Sequence, residues 1–174
     1  IYTAVGGMWA VAMTDFVQML IIMIGLLVLL VVVLIDVGGW SAISPQLPEQ
    51  TFRMLPFQNT GEQWLNYLRS WTIIGVVDIS AQTLFQRVSA AGDERVAQNS
   101  FYIGGFGYLM FGMIPVMLGI IGSVTMPELA ASEQVIPAMA IQHLHPAAIA
   151  IFVGAMLAAI MSSADSALLA NASV

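Results

Sequence analysis

The chain has no cysteine and very little positive charge. Its 174 residues contain no cysteine and no lysine, and its four basic residues are all arginine. Without cysteine, disulfides, thiolate metal sites and cysteine nucleophiles are all excluded. Four arginines cannot neutralise a run of phosphates, which excludes nucleic acid as a partner. The net charge is −6, and the acidic residues are spread along the chain rather than gathered in a tail.

What the chain does contain is apolar residues in long runs. Hydrophobic residues make up 59% of it, charged residues 8%, and the mean hydropathy is +0.90, outside the usual range of a soluble domain. Phe16 to Ile35 contains no charge. At about 1.5 Å rise per residue, such a helix is long enough to cross a hydrocarbon core about 30 Å thick. We therefore expect an all-α membrane protein.

The apolar pattern predicts four transmembrane helices in one transmembrane unit, residues 1–174. We place the helices at about 8–35, 70–88, 101–124 and 146–174. Residues 36–69 are predicted to form a polar loop, because prolines and charges interrupt this segment and its backbone could not be satisfied in lipid. Pro146 is a favoured first residue of a helix. The chain begins at Ile1 and ends within an apolar stretch, so we expect an internal fragment of a longer protein.

One face of the fourth predicted helix consists of small and hydroxylated residues. At about 100° per residue, a narrow arc holds Ala155, Ala159, Ser162, Ser163, Ser166, Ala170 and Ser173. One interpretation is a packing surface for a neighbouring helix. The other starts from the habit of serine hydroxyls to bond back to a preceding carbonyl. The Ala159 carbonyl and the Ser162 and Ser163 hydroxyls would then offer uncharged oxygen ligands to a monovalent cation, and weak ligation lets the ion leave again.

Three carboxylates, Asp15, Asp78 and Asp165, lie within apolar segments. Each costs about 2.5 to 3.5 kcal/mol at the bilayer centre, so each needs a partner or a water-filled cavity. For Asp15 the alternative is a position at the membrane interface. Asp78 is a candidate for substrate binding where a helix is broken. Asp165 either hydrogen-bonds to a neighbouring helix or helps to position the serine hydroxyls beside it on the fourth predicted helix.

Two histidines, His143 and His145, precede Pro146. Residues two apart do not share one face of a helix. We interpret the pair as a solvated helix entrance rather than a metal site.

Three segments together are similar to a known family. They read YTAVGGMWAVAMTDFVQ at 2–18, AQTLFQRVSAA at 81–91 and GAMLAAIMSSADSALLANAS at 154–173. In these residues and their spacing the chain resembles the sodium:solute symporter family. The resemblance implies a LeuT-type fold of two five-helix inverted repeats, with this chain as core helices five to eight. It also implies symport of a small organic solute across the plasma membrane, with Na+ as coupling ion, no organic cofactor and no enzymatic activity.

The resemblance also assigns roles to residues. Ala159, Ser162 and Ser163 match the sodium site of the eighth core helix, whose other ligands come from the first core helix, outside this chain. Asp15 matches an aspartate of the fifth helix associated with the route by which sodium leaves to the cytoplasm. Val77 and Asp78 stand where sugar-transporting members have aromatic residues. This departure argues against a sugar and places both residues in the substrate region.

Other functions stay open from the sequence. A solute sensor would use a transporter-like membrane domain of the same kind. A proton-coupled transporter would use Asp15 or Asp165. A membrane-embedded enzyme would need Asp78 and Asp165 within hydrogen-bond reach, and no nucleophile or metal motif supports it. Under the preferred interpretation, the partners are the solute, Na+, lipid and the remaining helices of the longer chain.

Overall fold

The structure, a computed structural model, has helices as the only regular secondary structure of the residues it describes. Its backbone description covers residues 2–53, 55–56, 60–79, 88–129 and 131–172. Side chains are described for the same residues except 2–6, 8, 74, 77–79 and 165–172. The prediction of an all-α protein is confirmed over these ranges.

The described α-helices fall into two compact units of the chain. The helices are α1 (Tyr2–Asp36), α2 (Trp40–Ile43), α3 (Gly61–Ile79), α4 (Glu94–Thr125), α5 (Val135–His143) and α6 (Pro146–Ala172). One unit consists of residues 1–46 and 99–174 and holds α1, α2, α5, α6 and most of α4. The other consists of residues 47–98 and holds α3.

Helix starts differ from the predicted ones where the first turns are polar. The backbone of α1 is not helical at Gly7, with φ 55° and ψ −148°, so its uninterrupted part starts at residue 8. In contrast, α3 begins at Gly61 and α4 at Glu94, ahead of the predicted starts at 70 and 101. Polar residues keep a segment out of lipid but not out of a helix, and an acidic residue in the first turn favours helix formation. Residues 80–87, in the second predicted helix, lie outside the described residues, as do residues 173–174.

Two short helices are not predicted by the sequence. Helix α2 lies in the predicted polar loop 36–69, and α5 lies between the third and fourth predicted spans. Both are too short for a clear apolar period. Each is fixed by burial instead, because Ile43 in α2 and Met139 and Ala140 in α5 are fully buried.

The carboxyl end of α1 is a glycine cap. Gly38 and Gly39 have φ values of +88° and +86°, a region that favours glycine. The Gly39 N–H donates to the Leu34 carbonyl at 2.7 Å, which satisfies an acceptor that the helix leaves open. The long apolar helix therefore ends sharply after Asp36.

Three helices are long and apolar enough to cross a membrane. Among the described residues, the candidate spans by length and composition are Trp9–Asp36, Glu94–Thr125 and Pro146–Ala164. Apolar side chains on their outer faces are exposed, with Leu109 at 73% and Ile160 at 65%. Exposed apolar surface of this extent suits lipid rather than water. Over its described length, α3 is not among the candidate spans.

Candidate functional site

Helices α1 and α6 pack against each other. Gly25 of α1 lies against Phe152 of α6, and a Cβ at Gly25 would stand 2.5 Å from the Cδ2 atom of that ring. Further along the pair, Asp15 contacts Ser162. From Asp15 to Gly25 and from Phe152 to Ser162 is ten residues in each case. The two helices are therefore in antiparallel register, residue for residue, between these contacts.

The polar contact of this interface joins a carboxylate to a hydroxyl. The Ser162 hydroxyl donates a hydrogen bond to Oδ1 of Asp15. Ser162 is only 2% exposed, and Asp15 is half-buried. Burial of a carboxylate is costly unless donors surround it, and Ser162 supplies one. A hydroxyl that gives its only proton keeps lone pairs that can accept a cation. The pair thus places a negative charge and an oxygen ligand side by side, which suits an alkali ion or a proton.

The other predicted oxygen ligands lie one turn apart on α6. The Ser163 hydroxyl donates to the Ala159 carbonyl at 3.0 Å, the bond that its spacing predicts. Ser163 is exposed, whereas Ala159 is half-buried. Ser162 departs from that pattern, because its hydroxyl bonds to Asp15 across the interface. The structure therefore brings Ser163 to Ala159 and Ser162 to Asp15.

One buried polar atom of α1 is not predicted by the sequence. Gln18 lies on α1 one turn after Asp15, and its Oε1 atom is fully buried without a hydrogen-bond partner among the described residues. Buried polar atoms in folded proteins are nearly always paired. The only sequence signal is its spacing of three residues from Asp15.

A second polar contact, also not predicted by the sequence, joins α1 to α5. Nδ1 of His143 lies 2.7 Å from Oδ2 of Asp36, at the carboxyl ends of both helices. The side chain of His143 is 14% exposed and that of Asp36 is 51% exposed. His145 instead accepts a hydrogen bond on Nδ1 from the Ala147 N–H at 3.3 Å. The two histidines thus serve separate contacts around the entrance of α6.

The remaining predicted residues lie in described helices, but their side chains are outside the described part. These are Val77 and Asp78 in α3 and Asp165 in α6. Their predicted roles stay predictions. Within the described residues, no three His, Asp or Glu side chains come together in a group that would hold a metal ion.

Membrane-spanning helices that bury a carboxylate against a hydroxyl define a class of protein. Ionisable groups within apolar spans are typical of the routes of ions and solutes, and the three candidate spans define the chain as part of a multi-pass membrane protein. The chain belongs to the sodium:solute symporter family, whose model matches residues 1–174. This confirms the membership predicted from the three segments. The family consists of transporters, in agreement with the prediction that the chain is not an enzyme.

The curated relatives are transporters of two named kinds. The chain is 30% identical over 180 residues to a sodium/pantothenate symporter of Haemophilus influenzae, covering 100% of this chain and 36% of the relative. It is 30% identical over 191 residues to the human high affinity choline transporter 1, covering 100% of this chain and 32% of the relative. The chain is also 30% identical to the sodium/pantothenate symporter of Escherichia coli, covering 97% of this chain and 35% of the relative. The chain thus spans about a third of the length of these relatives. No solved structure gives a significant match.

Proposed function

We propose that the protein to which this chain belongs is a sodium-coupled symporter of a small organic solute in the plasma membrane. The observation that carries the proposal is the buried contact between Ser162 and Asp15. Family membership and the names of the relatives support sodium as the coupling ion. We place the chain in a LeuT-type bundle as core helices five to eight, one transmembrane unit that the remaining helices complete.

The sodium ligands in this proposal are the Ala159 carbonyl and the hydroxyls of Ser162 and Ser163. The hydrogen bond from Ser163 to Ala159 keeps two of these oxygens within 3.0 Å of each other. Neutral oxygens bind a dehydrated alkali ion weakly enough for it to leave. The remaining ligands would come from the first core helix, which lies outside this chain. Sodium then favours the conformation in which both helices supply ligands, and this preference couples the ion to the solute.

In this proposal, sodium passes Asp15 when it leaves the neutral ligands on α6. Its carboxylate bonds to the hydroxyl of Ser162, so the two groups are adjacent on facing helices. An ion that leaves the neutral ligands meets a negative charge at once rather than apolar surface. Such a charge draws the cation away from the ligands without a long passage through low dielectric. This supports Asp15 as part of the sodium release route.

The solute contacts are proposed from sequence alone, at Val77 and Asp78 in α3. Neither residue is aromatic, which argues against a sugar. A carboxylate at Asp78 attracts a cationic solute and repels an anionic one. Among the compounds in the relatives' names, it therefore favours the choline cation over pantothenate, which carries a carboxylate.

The test is solute uptake by the full-length protein in proteoliposomes. Labelled choline and labelled pantothenate are each supplied with an inward sodium gradient and, in parallel, with potassium in its place. We expect sodium-dependent accumulation of choline, and weaker uptake in the Asp78→Asn variant. Accumulation that is the same in potassium would contradict sodium coupling. Sodium-dependent uptake of pantothenate alone would contradict the role given to Asp78.

Proton coupling is a second candidate, because the half-buried carboxylate of Asp15 accepts a hydrogen bond. A carboxylate in such a place can carry a proton instead of attracting sodium. Uptake in sodium-free buffer separates the two candidates. Proton coupling predicts accumulation driven by an inward proton gradient alone and abolished in Asp15→Asn. Sodium coupling predicts no accumulation under that gradient.

A further inference from the structure

Three aromatic side chains follow one another along one face of α3. Trp64, Tyr67 and Trp71 are three and four residues apart, the spacing of neighbours on a helix surface. Their rings meet edge to face, with centroids 5.9 Å apart from Trp64 to Tyr67 and 6.2 Å apart from Tyr67 to Trp71. Trp64 and Trp71 are nevertheless 37% and 63% exposed. We call these three residues the aromatic stripe.

The opposite side of the same helix is polar. At about 100° per residue, Glu62, Asn66 and Arg69 lie about 140° to 200° around the helix axis from Trp64. All three are exposed. The first turns of α3 therefore have an aromatic side and a charged side, which suits the boundary between an apolar medium and water.

The contacts of α5 show that α1 and α4 end on the same side of the membrane. Asp36, the last residue of α1, contacts His143 of α5. Gly122, near the end of α4, packs so closely on α5 that a Cβ there would overlap Val135. Helix α5 has nine residues and is about 13 Å long, far shorter than a hydrocarbon core of about 30 Å. Both spans therefore end on the side of the membrane where α5 lies.

The chain between these two spans has to cross the membrane. Helix α4 begins at Glu94 and needs about 42 Å of helix to reach Gly122, so it starts on the side opposite to the end of α1. The stretch best suited to the crossing is 70–86, which has no proline and a single charge, Asp78. The crossing therefore begins in α3, and the turns ahead of it lie at the membrane surface.

We propose that the aromatic stripe of α3 binds the headgroup region of the lipid bilayer and fixes the depth of the crossing that follows. Tryptophan and tyrosine suit this region because an apolar ring carries a polar N–H or O–H. From Trp64 to Trp71 is about 10 Å along the helix axis, comparable to one headgroup layer. Glu62 and Arg69 then stay on the side of water. The proposal concerns lipid and does not depend on the ion or the solute that is carried.

The test locates the stripe by tryptophan fluorescence of the full-length protein in proteoliposomes. The lipids carry bromine, a quencher, either near the headgroup or near the end of the acyl chain, and acrylamide quenches from water. The emission of Trp71 is the difference between the wild type and Trp71→Phe, a change that keeps an aromatic ring. We expect bromine near the headgroup to quench it about twice as strongly as bromine near the chain end, and the same for Trp64 with Trp64→Phe.

Two results would overturn the proposal. Quenching by acrylamide alone would put the stripe in water. Emission that neither bromine nor acrylamide quenches would mean that other helices of the longer protein cover it.

The matched control is a tryptophan at the same level on the polar side. Asn66→Trp, in a protein that also carries Trp64→Phe and Trp71→Phe, should lose about half as much emission to lipid bromine as Trp71 does, or less. Equal quenching would show that α3 meets lipid on both sides, and the stripe would not be the surface that binds the headgroups.

A second experiment tests whether the stripe fixes the depth of the crossing. Ser70→Cys is made in a full-length protein without other cysteines, and the rate of its reaction with a water-soluble thiol reagent is measured in proteoliposomes. Replacing both Trp64 and Trp71 by alanine should change this rate about three-fold or more, because interfacial aromatic residues set the position of a helix in the bilayer. Leu65→Ala, at a 70% exposed residue outside the stripe, should leave the rate unchanged.

Equal rates in the double alanine variant and in Leu65→Ala would contradict the anchoring role. None of these measurements uses transport, so failure of the proposed sodium coupling would leave their outcome unaffected.

Discussion

The interface between α1 and α6 is apolar at one end and polar at the other. At one end Gly25 admits the ring of Phe152, and the contact is apolar and tight. At the other end Asp15 meets Ser162. One turn further along α1, Gln18 has a buried oxygen without a partner among the described residues. The apolar end fixes the distance and register of the helices. Close packing alone would not stabilise a charge and oxygen atoms at the polar end. A bound cation or proton accounts for them better. One helix pair thus contains a structural half and a site.

The largest expected effect comes from filling the glycine at the apolar end. Gly25→Val would push methyl groups into the ring of Phe152, which is 2% exposed and has little room to move. We expect a loss of about 3 kcal/mol in stability, in the upper range for overpacking a core. Thermal unfolding of the purified full-length protein would show it.

The control for this change is a glycine without neighbours. Gly154 of α6 has no atom within 4 Å of a built Cβ in the described structure, so Gly154→Val should be far milder. Adding Phe152→Ala to the Gly25 variant should restore part of the loss. If the Gly25→Val protein is as stable as the Gly154→Val protein, the contact between Gly25 and Phe152 is not tightly packed, and the contrast between the two ends of the interface is wrong.

The next effect is at the polar end and should appear in sodium dependence. Ser162→Ala removes a hydroxyl donor to Asp15 and a proposed ligand together. We expect the sodium concentration for half-maximal uptake to rise about ten-fold, since a polar contact to a charged group contributes about 1 to 3 kcal/mol. Uptake in proteoliposomes at graded sodium concentrations measures it.

Ser163→Ala sharpens the same comparison. Ser163 is exposed and bonded to its own helix, so we expect a smaller rise than for Ser162→Ala. Equal rises in the two variants would mean that the link to Asp15 adds nothing to sodium binding.

The smallest effect belongs to the contact between Asp36 and His143. Because the side chain of Asp36 is 51% exposed, solvent screens the pair, and we expect about 0.5 kcal/mol from it. A double-mutant cycle of Asp36→Asn and His143→Gln on thermal stability would measure the coupling. Gln142→Ala, at the exposed neighbouring position of α5, serves as the matched control. A coupling of several kcal/mol would make this contact a third essential element beside the two halves.

Sequence reasoning reaches the parts of the fold that depend on local pattern. The run from Phe16 to Ile35 predicts a spanning helix, because its length and lack of charge match a bilayer. Pro146 marks a helix start that the structure shares. The polar segment 36–69 is predicted as a loop, whereas α3 begins within it at Gly61, because polarity argues against lipid without arguing against a helix.

The site is less predictable, because its contacts are long-range. Ser162 and Asp15 lie 147 residues apart, and no local rule says that one serine of a pair bonds across the interface while the other bonds to Ala159. Nothing in the sequence singles out Gln18. Only the structure shows that its side-chain oxygen is buried without a partner among the described residues. The pairing of Asp36 with His143 likewise requires the fold.

The equal spacing of the contacts on α1 and α6 constrains the length of both helices. Ten residues separate Asp15 from Gly25, and ten separate Phe152 from Ser162. Deleting one residue inside either interval would turn one end by about 100° and shift it by about 1.5 Å, so only one contact could survive. Compensation would require a matching deletion in the other helix, far away in the chain. Lengths of these two intervals should therefore change only together, which gives a signature to look for in any related chain.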